Sequence, residues 1–365
     1  MQVNIFRKKS CVGLDIGSKN IKLVSLIPAS QKKFRLKNFQ ILPLPDDVVQ
    51  LDTLPENKLS AILSILNDVF SKNKKLAKTV AISVAGSSVV IRYVKLPIMT
   101  KEELERSISI EVEPFIPFPI NEVYLSFDIT GEVIEEGIRK NEVVVAAVKK
   151  EVVDTLISLL SKCDLTPAFI DVDSFVLERI LNYNYELKGN IICAVNIGAN
   201  ITTVTIIEDG VTRVCRDLTI GMNNFLNEIQ KTKQMGLSEI LEYIKNDGLI
   251  LSDEEKEQYL MQNKKTELSI SKDLNVLLKD LITEVHKIID FYYFQKGEQK
   301  PLSKIILSGG GCVIRNLTSY FSNEFKVETE VLDPFKNIEN SDIVPQEIRP
   351  LFAISVGLAL KPYIF

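Results

Sequence analysis

Alternating and short apolar runs open the chain. Residues 11–27, CVGLDIGSKNIKLVSLI, predict a strand, a glycine-containing turn and a second strand rich in β-branched residues. A third strand is predicted over 34–42. Leu59, Ile62, Leu63, Leu66 and Phe70 recur at helical spacing within 57–71, and 79–84 is a further apolar strand. From Gly86 to about Leu165 the pattern reads as a compact unit: strand 89–94, helix 101–113, strands 122–131 and 141–148, then helix 150–162. Pro114, Pro117 and Pro119 stop its first helix and predict an extended, aromatic link. A strand over 167–172 and a helix over 174–183 follow, and the polar stretch 182–190 is the predicted boundary.

After that boundary the opening pattern returns. D-I-G-S-K-N-I at 15–21 and N-I-G-A-N-I-T at 196–202 align at an offset of 181 residues. Two unrelated apolar hairpins would give the same match by coincidence, so the alignment alone leaves a duplication open. Residues 222–300 are largely helical and polar, with Leu274, Leu277, Leu281, Val285, Ile288 and Tyr292 forming one stripe. A strand over 304–307 runs into Ser308-Gly309-Gly310-Gly311, with a helix expected from Ile314, and 351–360 reads as a closing apolar helix.

Composition narrows the function classes. The 365 residues are 45% hydrophobic and 25% charged, and 44 basic against 48 acidic side chains leave a net charge of -4. This is an ordinary globular balance with no global field for nucleic acid. Five cysteines, an odd number without a C-x-x-C pair, favour buried thiols over disulfides or zinc. His286 is the single histidine, so Ser-His-Asp and Cys-His chemistry have one base with no supporting neighbours. Arg7, Lys8 and Lys9 precede no apolar run of the signal-peptide kind. The longest uncharged run, 189–207, carries asparagines and threonines that lipid would leave unsatisfied. Charge is uneven along the chain. Residues 1–40 hold nine Lys/Arg against Asp15, and 101–136 hold ten Asp/Glu against Lys101 and Arg106. Solvated faces account for this, as would a basic face turned to anionic lipid headgroups.

The paired turns carry the chemistry. Glycine lets a hairpin backbone approach a phosphate, and consecutive N–H groups with the Ser18, Thr202 or Thr203 hydroxyls can donate to its oxygens. Lys19 adds a point charge, and Asp15 a carboxylate able to order the waters of a bound Mg2+. The triple glycine offers an unobstructed surface for a flat base or ribose, although a flexible strand-to-helix turn would look the same. Neither a P-loop nor a dinucleotide-binding glycine motif is present.

These residues resemble the actin-like ATPase superfamily. Phosphate 1 matches 15–19, phosphate 2 matches 196–203 and the adenosine motif matches 305–311. Within it, SVVIRYVKLPIMTKEELERSISIEVEPFIPFPINEVYLSFDI, VVVAAVKKEVVDTLISLL, IDVDSFVLERIL, RDLTIGMNNFLNEI and ISVGLALK are similar to the PilM family of type IV pilus assembly. The resemblance implies an α/β, actin-like (ribonuclease H-like) duplicated two-domain ATPase fold with an FtsA-type inserted 1C subdomain. It divides the chain into subdomain 1A (1–85 and 166–188), inserted 1C (86–165), 2A (189–221 and 301–350), helical 2B (222–300) and a closing helix on 1A (351–365). It further implies ATP with Mg2+ between the halves, on Asp15, Gly17, Ser18, Lys19, Asn196, Gly198, Ala199, Asn200, Thr202, Thr203, Gly309, Gly310 and Gly311. By matching position, Gly221 borders the phosphates, Glu242 and Lys245 approach the adenosine, and Asp173 falls where relatives place a water-positioning residue. Asn196 departs from the usual phosphate 2 Asp. An amide cannot accept a proton or attract Mg2+ as a carboxylate does, which puts hydrolysis in doubt.

The partners implied are the N-terminal cytoplasmic peptide of a PilN-like inner-membrane protein, the pilus assembly ATPases and other copies of the chain. The implied location is cytoplasmic, peripheral at the inner membrane. Phe115, Ile116, Pro117 and Phe118 are the candidate partner-binding residues, because three prolines keep an apolar segment out of regular structure. An FtsA-like tether would need a C-terminal amphipathic helix, and residues 360–365 are short and proline-broken. A small-molecule kinase of the same fold would need a carboxylate base and a substrate cleft, where 86–165 offer a compact insertion.

Overall fold

The computed structural model describes residues 11–30, 33–45, 56–297 and 300–364. Arg7, Lys8 and Lys9 lie outside the described residues. The first hairpin forms where the β-branched residues concentrate: β1 (Val12–Ile16) and β2 (Asn20–Ser30) are antiparallel, and β3 (Lys33–Pro43) adds to β2. Helix α1 (Glu56–Lys72) buries Ile62, Leu66 and Phe70 and leads to β4 (Thr79–Val84), parallel to β1. An inserted unit follows, with β5 (Val89–Pro97), α2 (Lys101–Val112), β6 (Val123–Glu135), β7 (Ile138–Lys149) and α3 (Lys150–Lys162). Thr100 caps α2 in a reciprocal box with Glu103, an arrangement that contributes about 1 kcal/mol. The three strands of the unit pair in the order β5-β7-β6 over a small core that includes Val94, Leu104, Val112 and Val145.

The proline link differs from expectation. It forms two 3-10 turns, Glu113–Phe115 and Ile120–Glu122, because the φ that Pro114 imposes suits the start of a helical turn as well as an extended one.

The chain returns through β8 (Thr166–Val172) and α4 (Asp173–Asn184), then builds β9 (Ile191–Ile197), β10 (Thr202–Glu208) and β11 (Val211–Leu218). A helical region follows: α5 (Met222–Lys233), α6 (Leu237–Asn246), α7 (Asp253–Met261) and the long α8 (Lys265–Lys296). Leu274, Leu278, Leu281, Val285, Ile288 and Tyr292 form the buried stripe of α8, with Leu277 only half-buried. The remaining elements are β12 (Lys304–Ser308), α9 (Leu317–Phe325), β13 (Thr329–Val331), β14 (Ile338–Glu339) and α10 (Ala353–Leu360). The helix expected from Ile314 starts three residues later, after a 3-10 turn over Gly310–Val313. The closing helix is likewise delayed by Pro350, which sits in a 3-10 turn over Gln346–Phe352.

The two large sheets repeat one plan. Their orders are β14-β3-β2-β1-β4-β8 and β11-β10-β9-β12-β13, so an antiparallel triplet followed by two parallel strands occurs in each. Equal topology on top of the aligned turns is the mark of an internal duplication. Helices α4 and α10 pack between the sheets, against Val24 and Ala81 on one side and Ala194 and Ile306 on the other. All eight residues of α10 are buried. A Cβ on Gly13 would stand 2.0 Å from the Ser355 carbonyl, so only glycine allows α10 this close to β1.

Candidate functional site

The carboxyl ends of β1, β4, β9 and β12 open on one cleft of about 480 Å³. The turns after β1 and β9 are built alike: the Gly17 N–H donates to the Asn20 carbonyl at 3.1 Å, and the Gly198 N–H to the Ile201 carbonyl at 2.9 Å. In both, a Cβ on the glycine would press on that same carbonyl, at 3.0 and 2.6 Å. The second turn is braced by α5, whose first amides, of Met222 and Asn223, donate to the carbonyls of Gly198 and Ala199 at 3.0 and 2.8 Å. Asn223 also donates its side-chain amide to Asn200 Oδ1 at 2.6 Å, while the buried Asn200 Nδ2 has no partner among the described residues.

The two aligned polar positions carry different chemistry. Asp15 accepts from Lys22 Nζ at 2.7 Å across the β1–β2 register. Asn196, 181 residues later, accepts from the Ser308 hydroxyl at 3.0 Å. Lys58, in the first turn of α1, also faces the cleft. Burial holds its pKa below the usual lysine range, and the positive end of the α1 dipole adds to the cost of its charge. Asp173 lies at the start of α4. Burial pushes its carboxyl up to about 8, with Asp15 and Asp217 adding to the rise and a hydrogen bond from Ser83 and the Lys22 charge opposing it.

That shift sets a pH dependence. Below about pH 4 the unfolded carboxyl is protonated too, so the stability linked to the protonated native form is complete there. It falls as pH rises, and is gone above about 8, where the native group ionises. Asp173→Asn removes the titration and keeps the shape. Its Tm should therefore gain on wild type between pH 5 and 8, read from thermal melts at both; parallel Tm curves would refute the assignment.

The cleft brings together Asp15, Gly17, Ser18, Lys19, Asp173, Asn196, Gly198, Ala199, Asn200, Thr203, Lys245, Gly309 and Gly310. Four predicted residues stand elsewhere. Thr202 faces away from Thr203, as strand alternation requires, and donates its hydroxyl to the Ile220 carbonyl at 2.7 Å. Gly221 packs behind the second turn, where a Cβ would meet the Ala199 carbonyl at 2.6 Å. Gly311 packs on Ile197, and Glu242 is exposed beside Lys245 without lining the cleft. The residues missed include Lys22, Lys58, Asn223, and Val152 and Leu156 of α3, which line the cleft from the inserted unit.

The partner segment is split. Ile116 is core of the inserted unit, Phe115 is exposed, and Phe118 is half-buried with Lys149 Nζ over its ring at 4.9 Å. A separate groove between α1 and α3 is lined by Leu59, Leu63 and Leu159, with Ser158 at its exposed side. His286 is exposed and stacks on Phe325. All five cysteines are free, and burial pushes the Cys11, Cys193, Cys215 and Cys312 thiols up to about 12.

Two sheets of one plan, joined by inter-sheet helices and turned toward one cleft, define an actin-like two-domain α/β fold. The chain is similar to MreB 5 of Spiroplasma citri bound to AMPPNP, with a TM-score of 0.52 and 14% identity over 96% of this chain and 95% of that one. It is also similar to the ethanolamine utilization protein EutJ from Carboxydothermus hydrogenoformans, at 0.51 and 13% over 98% and 92%. A chain of the PilM-PilN type IV pilus biogenesis complex superimposes with a TM-score of 0.78, 23% identical over 97% of this chain and 99% of that one. The family model for type IV pilus assembly protein PilM matches residues 13–363, and the chain belongs to that family.

Proposed function

We propose that this member of the PilM family binds ATP between its two sheets and docks the N-terminal cytoplasmic peptide of a PilN-like inner-membrane protein, as a scaffold of pilus assembly. The observation that carries the nucleotide reading is the pair of matched glycine turns facing one cleft. The buried Asn200 amide supports it, as a donor that a phosphate oxygen would satisfy. Ser18, Lys19 and Lys245 supply further donors for a polyanion, and the open side of Gly310 leaves room for the base or ribose. Among the described residues no three His, Cys, Asp or Glu side chains are grouped to hold a metal ion. Mg2+ carried on the phosphates would meet the protein through water on Asp15 and would neutralise phosphate charge.

A path for coupling runs from the cleft to the inserted unit. The Thr203 hydroxyl donates to Asp217 Oδ1 at 2.6 Å, and the Gly86 N–H, at the start of that unit, donates to Asp217 Oδ2 at 2.6 Å. Arg213 of β11 also pairs with Glu142 of β7 at 2.7 Å. Titration calorimetry with ATP and a PilN-type peptide, separately and together, tests the reading. ATP should bind, and any effect of one ligand on the other must be equal in both directions. Failure of ATP to bind at millimolar concentration would sink the nucleotide reading. Among the described residues no helix is long and apolar enough to cross a membrane.

For the peptide, Phe118→Ala should weaken binding by about 2 kcal/mol, the scale of a hot-spot aromatic, with ATP affinity within error. The α1–α3 groove is the rival surface. Loss of peptide binding in Ser158→Trp, with Phe118→Ala as tight as wild type, would move the peptide there.

A further inference from the structure

We infer that the end of the first sheet opposite the cleft is a basic face that rests on anionic lipid headgroups. Lys33, Arg35 and Lys37 are the exposed residues in the first half of β3, alternating with buried Phe34 and Leu36. Lys37 is the extra residue of a bulge, since Ser25 faces Asn38 and Leu26 faces Leu36. Its Nζ donates to the Lys75 carbonyl at 3.3 Å, which brings β3 beside the turn from α1 to β4. That turn carries Lys74, Lys75 and Lys78, all exposed.

Among the described residues, Lys33, Lys37, Lys74, Lys75 and Lys78 form no ion pair with a carboxylate. The carboxylates around it include Asp68, paired with Lys72, Glu339, paired with Arg35, and Asp164, which like Lys78 acts on the Cys163 thiol. Both segments are remote from the nucleotide cleft. Strand rise puts Lys37 roughly 20 Å from Pro43 at the cleft end of β3, and helix rise puts Lys72 about 20 Å from Lys58.

The chemistry favours a planar anionic surface over a macromolecular partner. No large apolar side chain is exposed in 33–43 or 72–80, whereas a protein-binding face is centred on apolar and aromatic anchors and is poor in lysine. A long nucleic acid would meet the rest of a chain of net charge -4, and a bilayer meets this end alone. Lysines suit diffuse attraction to a charged surface, because a compact hydrated ammonium needs no fixed geometry. The choice of lipid rests on the membrane-platform reading above; the face itself does not.

The test is co-sedimentation of the full chain with vesicles of roughly one-third phosphatidylglycerol in phosphatidylcholine, against phosphatidylcholine alone. Wild type should sediment with the anionic vesicles only and release at high salt. Lys74→Glu with Lys75→Glu should weaken this by at least about tenfold. Lys231→Glu with Lys287→Glu, equal in charge but on exposed positions of α5 and α8, should bind as wild type does. Lys74→Gln with Lys75→Gln gives a milder loss and guards against misfolding, checked by circular dichroism. Equal binding by wild type and the Lys74/Lys75 reversal overturns the inference, as does an equal loss in the control. Wild-type self-association without vesicle binding also overturns it, and would give the face to a second copy. ATP and peptide titrations on the same variants keep the two readings apart: their failure with vesicle binding intact removes the platform reading and leaves the basic face.

Discussion

Gly310→Phe should weaken ATP binding by at least about 100-fold, about 2.8 kcal/mol, without unfolding the chain. The three glycines after β12 differ in what a side chain would meet. At Gly309 the backbone has φ +83, and a Cβ would lie 2.5 Å from the Ile197 carbonyl. At Gly311 it would lie 2.4 Å from Ile197 Cγ2. Substitution at either damages the fold, so loss of binding there would say little about the cleft. At Gly310 a Cβ meets nothing within 4 Å, and the residue lines the cleft. A phenyl ring there occupies the space assigned to base or ribose while leaving the backbone unstrained. Calorimetry for affinity and thermal melts for folding check both halves; a folded variant with wild-type affinity would take Gly310 out of the site.

The contrast among those glycines shows what a one-dimensional reading holds. Strand β4 and helix α3 fall where hydrophobic spacing puts them, because β4 is a buried apolar run and α3 buries one regular stripe. The turns were legible for a related reason. A glycine at a fixed offset between two β-branched strands is a local requirement, and its recurrence 181 residues on exposes the duplication. Side-chain direction was less legible. Thr202 and Thr203 look alike in sequence, and only strand alternation separates the one that faces the cleft. Lys22 could have been found from register, since a hairpin closed by the Gly17 turn sets it opposite Asp15. Lys58 carried a weaker signal, a cation in the first turn of a helix, where the dipole disfavours it. Val152 and Leu156 carried none, because they reach the cleft only through docking of the inserted unit on the first sheet.

Asn196→Asp should raise ATP turnover by at least about tenfold, still under the roughly 10²–10⁴ of a fully positioned base. In the native cleft Asp15 is committed to Lys22 at 2.7 Å. Asp173 is held protonated up to about 8, and Asp217 accepts from both Thr203 and Gly86. With Asp15 taken up by Lys22 and by Mg2+ water, Asp173 carrying a proton and Asp217 doubly hydrogen-bonded, we expect ATP binding with turnover near background. Lys19, Lys22, Lys58 and Lys245 all line the cleft, a set of cations suited to holding a polyanion. An aspartate at 196 has the shape of the asparagine. It can still accept from the Ser308 hydroxyl through one oxygen, and its second oxygen can order or deprotonate a water. The added charge also raises repulsion with Asp15 and drives Asp173 further up, so ATP should bind the variant more weakly without Mg2+ than with it. Phosphate release at saturating Mg2+-ATP measures the effect. Brisk hydrolysis by the native chain, or a fall in the variant, would mean that the water is activated from elsewhere in the cleft and that Asn196 is not the missing base.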